Sequence, residues 1–105
     1  MKNLATLGLL VSTDRCADHL IGLVKAAAAK GIKSLIFFTH RGVRLVMDPR
    51  LQELVGLAEM SFCRISLEAY GLKTDPPLPG LSGKSVSNQS GHARLIERCD
   101  RYLAL

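Results

Sequence analysis

Two short and almost uninterrupted apolar runs constrain the fold more than anything else in this chain. They are Leu4-Ala5-Thr6-Leu7-Gly8-Leu9-Leu10-Val11 and Lys33-Ser34-Leu35-Ile36-Phe37-Phe38-Thr39. A strand with one face in water alternates apolar and polar residues, whereas a strand covered on both faces is free of that restriction and reads as a continuous run. Between the two lies a helical stretch, about 15–30, with Leu20, Ile21, Leu23, Val24 and four consecutive alanines. Ser12, Thr13 and Asp14 stand before it as N-cap residues, and Lys30 and Gly31 close it as a basic last turn and a C′ glycine. Two buried strands joined through a helix are parallel, because a parallel pair needs a crossover connection.

The rest of the chain repeats that order. His40-Arg41-Gly42 forms the loop after the second strand, and residues 43–47 fit either a turn or a short strand. Pro49 suits the first position of a helix running through Leu51, Leu54, Val55 and Leu57. A third strand follows at about 58–62, then Cys63 and two helical turns to Tyr70, closed by Gly71. Residues 73–91 are rich in Pro, Gly and Ser and too long for a bare connector, which suits a lid, an oligomer contact or a partly disordered segment. A helix at about 88–98, with Ala93, Leu95 and Ile96 inward, leads to a last strand at 100–105. The reading is a single domain over 1–105, a three-layer α/β/α sandwich with a mostly parallel sheet of four to five strands.

Several function classes recede on composition. The net charge is +5, but the basic residues are scattered, and only five aromatics are present. A stacking platform for nucleic acid is therefore not expected. No apolar run has the length of a membrane span, and the N-terminus reads as a buried strand rather than a signal peptide. The three cysteines, 47 and 36 residues apart, match no zinc knuckle or CxxC pair, so free thiols in a cytoplasmic protein are expected, with no metal and no cofactor. The stretch 80–85 ends like a phosphate loop, but Gly80 stands only three residues before Gly83 and a proline stretch precedes it, so it is discarded.

Ligands of open parallel sheets gather outside the carboxyl ends of the strands. Three such ends carry chemistry here: Ser12, Thr13 and Cys16 after the first, Thr39, His40 and Arg41 after the second, Cys63 and Arg64 after the third. Cys63 stands out because a thiol at a strand-to-helix junction meets outward backbone N–H groups and the positive end of the helix dipole, both of which favour a thiolate. His40, Arg41, Arg64, Ser12, Thr13 and Cys16 are the candidate binding residues around it. The bland alternatives are a packed thiol, a structural histidine and solvated arginines. Cys99, on the last helix beside Ile96, reads as a packed small side chain.

The segment Phe62-Cys63-Arg64-Ile65-Ser66-Leu67-Glu68-Ala69-Tyr70-Gly71-Leu72 resembles the DsrE/DsrF-like (YchN-like fold) small sulfur-relay family, in which a sulfur-accepting cysteine precedes a helix ending in glycine and an aliphatic residue. Residues 88–103 resemble the closing helix and strand of such proteins, and the first strand and alanine-rich helix fit too. The resemblance implies an intracellular sulfur carrier or sulfurtransferase with persulfide on Cys63, sulfur donor and acceptor proteins as partners, and assembly as a homo-oligomer (dimer, trimer or hexamer). The Pro-rich residues 76–79 depart from the family's compact pattern. Two rival readings stand beside it. One is a non-catalytic oligomeric module that binds a small anion or a protein partner, with Cys63 only structural. The other is a redox sensor pairing Cys63 with Cys16, which the absence of an adjacent resolving cysteine weakens.

Overall fold

The computed structural model of the chain describes residues 5–72 and 86–105. Leu4 of the expected first strand, and residues 73–85 of the Pro/Gly/Ser-rich segment, lie outside the described residues.

Among the described residues five strands, β1 (Thr6–Val11), β2 (Lys33–Phe38), β3 (Ala58–Cys63), β4 (Val86–Ser87) and β5 (Arg101–Ala104), form one sheet in the order β4-β3-β2-β1-β5. All four pairings are parallel. The helices α1 (Ala17–Ala29), α2 (Arg64–Ala69) and α3 (Gln89–Arg98) complete the α/β sandwich, with two 3-10 helices, His40–Met47 and Pro49–Leu54, between β2 and β3. The chain steps in one direction from β1 to β4. Right-handed crossovers therefore put α1, the 3-10 helices and α2 on one face, where they pack on one another. The connection from β4 back to β5 runs the other way and lays α3 on the opposite face, against β1, β2 and β4.

The crowded face holds most of the core. Leu9, Val11, Leu20, Val24, Ile36, Phe38, Phe62 and Leu67 are all essentially inaccessible, and the rings of Phe38 and Phe62 stack at 4.4 Å between centroids. Each such side chain contributes about 1.5–3 kcal/mol on burial. Both α1 and α2 end in a glycine at positive φ, Gly31 at 77° and Gly71 at 70°. The following amides, Ile32 and Leu72, reach back to Ala27 and Leu67 carbonyls at 2.9 Å each, which is the Schellman closure that the glycines predict.

Four expectations are corrected. Ser12, Thr13 and Asp14 do not cap α1: the helix starts at Ala17 behind Cys16, with no side-chain cap. Residues 43–47 are neither a turn nor a strand but part of a 3-10 helix that buries Val43, Leu45 and Val46. Pro49 does open a helical segment, with Asp48 accepting from the Arg50 amide at 2.9 Å, but it is a 3-10 helix that ends at Leu54 and leaves Val55 exposed. On α3 only Leu95 is buried, and both Ala93 and Ile96 face outward, because this helix lies on the thinly covered side of the sheet.

Candidate functional site

The register of the sheet places the ends of β1, β2 and β3 side by side, with Val11 opposite Phe38 and Phe38 opposite Phe62. The three strand ends singled out in the sequence therefore share one rim. At its centre Thr39 leaves β2, donating its amide to the Val11 carbonyl at 2.9 Å and accepting the Gly42 amide at 2.9 Å. Gly42 presses on the end of β1 so closely that a Cβ there would stand 2.1 Å from the Val11 carbonyl oxygen. That approach forces the chain to reverse at once, and His40 takes a left-handed φ of 49° to do it.

The reversal aims the His40 backbone N–H at the Ser66 hydroxyl, which accepts it at 2.9 Å. The Thr39 hydroxyl lies 3.4 Å from the same oxygen. Ser66 sits in the first turn of α2, three residues after Cys63, which is the N-cap of that helix. Thr39, Cys63 and Ser66 are all buried, at 5%, 4% and 8% exposure. No side-chain hydrogen bond of full capping geometry closes α2. The Cys63 sulfur nonetheless occupies the place of a capping oxygen, where amides of the first turn point. Burial pushes the Cys63 thiol up, but the Ser66 hydroxyl and amide, the Thr39 hydroxyl and the Ile65 amide together outweigh it and hold the thiol below its ordinary value.

Of the residues expected around Cys63, His40 enters the network, through its backbone and not its imidazole. Arg41 and Arg64 stand exposed at the rim, and among the described residues no carboxylate pairs with either. The β1 side is a separate arrangement. Ser12 donates both its amide and its hydroxyl to the Leu105 carbonyl at 3.2 Å, which ties it to the end of β5. Thr13 accepts the Arg15 amide at 3.2 Å, and Cys16 donates to the Thr13 carbonyl at 3.7 Å. Burial pushes the Cys16 thiol up, its own backbone amide offsets part of this, and the Asp14 carboxylate adds to the rise. Ionisation is thus opposed at Cys16 and favoured at Cys63.

Ser66 was not legible as a site residue, since it belongs to no motif. The signal that would have found it is positional: the third residue after an N-cap carries the amide, and here also a hydroxyl, that turn back toward the cap. All three thiols are free. Among the described residues no group of three His, Cys, Asp or Glu side chains is placed to hold a metal ion, and no helix is long and apolar enough to cross a membrane. No family model matches the chain, and no curated protein matches it. What the arrangement offers chemically is support for a thiolate on Cys63 at the start of α2.

Proposed function

We propose that the chain is an intracellular sulfur carrier of the DsrE/DsrF-like kind, a sulfurtransferase in chemistry, with Cys63 accepting and passing on persulfide sulfur. The observation that carries this reading is the placement of the Cys63 thiol at the start of α2, beside the linked Ser66 and Thr39 hydroxyls, in surroundings that favour its thiolate in spite of burial. In the accepting step the Cys63 thiolate attacks the outer sulfur of a donor persulfide. A new S–S bond forms on Cys63, the donor's S–S bond breaks, and the donor leaves as a thiolate. The outer sulfur keeps its proton, so no external oxidant or reductant is needed. In the passing step an acceptor thiolate attacks the same outer sulfur and Cys63 leaves as a thiolate, which is easier the more that anion is stabilised. Donor and acceptor proteins, and a cytoplasmic homo-oligomer as the working form, belong to the proposal. The exposed Leu103 on the edge strand β5 and Ile96 on the outer face of α3 favour assembly.

The 4% exposure of Cys63 favours a second reading, in which the thiol is a packed structural residue within a binding module. Alkylation followed residue by residue across pH separates the two. The carrier reading predicts that Cys63 modification reaches half its plateau at a pH well below that of Cys16, since ionisation of Cys63 is favoured and that of Cys16 is opposed. A Cys63 midpoint at or above that of Cys16 supports the packed-thiol reading instead.

A further inference from the structure

Strand β3 differs from its neighbours in a way the sulfur chemistry does not use. Glu59 and Ser61 lie two apart on it, on the face turned to α3, whereas β1 and β2 are apolar almost throughout. A strand inside a parallel sheet is ordinarily covered on both faces. Here α3 packs chiefly on β1, β2 and β4 and so bridges over β3. The bridge is held close to β4: a Cβ on Gly91 would stand 1.9 Å from the Ser87 hydroxyl. What remains beneath it is a cleft of about 230 Å³.

The cleft is built from opposed halves. Its floor and outer wall present the Ser61 and Ser87 side chains, and Leu35 and Leu95 supply apolar surface. From α3, Arg94 and Arg98 line it one helical turn apart. Arg98 is already engaged: its two terminal nitrogens meet the two Glu59 oxygens at 3.2 Å each, and Lys33 reaches the same carboxylate at 3.0 Å. Arg94 has no carboxylate partner among the described residues. Among the described residues Arg94 is thus the lining cation left without a carboxylate, a planar guanidinium suited to one.

We infer that the cleft between α3 and β3 is a binding site for a small organic monocarboxylate, held by Arg94 with its apolar stem against Leu35 and Leu95. Neither Cys63 nor Thr39, His40 or Ser66 lines it, so the inference stands or falls separately from sulfur carriage. The one guanidinium of Arg94, unpaired among the described residues, fits one carboxylate, and the apolar walls fit a short alkyl stem better than a bare inorganic ion.

Titration of the full chain with hexanoate, followed by amide chemical shifts, tests this. Saturable shifts confined to β3, β4 and α3 are expected below ~10 mM hexanoate, with no saturation by hexanol, which keeps the stem and lacks the charge. Arg94→Gln should weaken binding about tenfold by removing a charge-assisted contact, while Lys30→Gln, which removes an equal charge at the exposed end of α1, should leave it unchanged. Ser61→Leu should abolish binding by filling the floor with Arg94 intact, so the test does not depend on one variant folding. Shifts that do not saturate, or equal losses in Arg94→Gln and Lys30→Gln, would overturn the inference.

Discussion

The Ser66 hydroxyl receives the His40 amide, which leaves its own proton free to point toward the Cys63 sulfur. One oxygen thereby couples the end of β2 to the thiol at the end of β3. Replacing it has two separable effects. Ser66→Ala removes a donor to the thiolate, so the Cys63 alkylation midpoint should rise toward that of an ordinary thiol, slowing modification at neutral pH but not on the alkaline plateau. It also leaves the His40 amide without its acceptor, which should cost about 1–3 kcal/mol in chemical denaturation. At His40 the strained backbone is separable from the network, since only the main chain takes part. His40→Gly keeps the donated amide and relieves the left-handed φ of 49°, so unfolding should become harder by about 1 kcal/mol with the Cys63 midpoint unmoved. Cys63 itself was legible because a strand-to-helix junction has a known electrostatic sense. Its partners were not, because a hydroxyl supplied from another strand end leaves no trace in local spacing.

At the level of elements, the 3-10 helix His40–Met47 is the piece that sequence periodicity missed. Its buried residues, Gly42, Val43, Leu45 and Val46, do recur at helical spacing, but eight residues with a glycine in the first turn are too short a run for that spacing to be told from a turn or a strand. Its position depends on Gly42 lying against the Val11 carbonyl. Gly42→Ala brings a methyl group into backbone, so a loss of about 2 kcal/mol or more is expected in denaturation, with Cys63 alkylation faster as the rim loosens. An unchanged denaturation midpoint would show that this contact does not hold the segment. The outward Ile96 has a different cause. The apolar residues of α3 fit an inward stripe, but that stripe presumes full contact with the sheet, and a helix that bridges over β3 buries only Leu95. The polar residues of β3 carried the missing information, since Glu59 and Ser61 mark the strand that the helix spans without packing closely on it.

For the whole molecule, the parallel α/β sandwich followed from the two apolar runs and the helix between them, because crossover geometry leaves few alternatives. The neighbourhood of β1, β2 and β3, on which the shared rim depended, is met by the observed order β4-β3-β2-β1-β5. Convergence on that rim was only half realised: Thr39, His40 and Cys63 are joined through Ser66, while Ser12 turns to Leu105, and Thr13 and Cys16 close their own turn. The proposed sulfur carriage therefore rests on Cys63 alone and gives no part to Cys16 or Cys99. The most direct measurement is the intact mass of the protein after incubation with a sulfane-sulfur donor, in wild type and in Cys63→Ser. Sulfur carriage on Cys63 predicts a gain of a single sulfur atom in wild type, removed by a thiol reductant and absent from the variant. No gain in wild type, or an equal gain in Cys63→Ser, would contradict it.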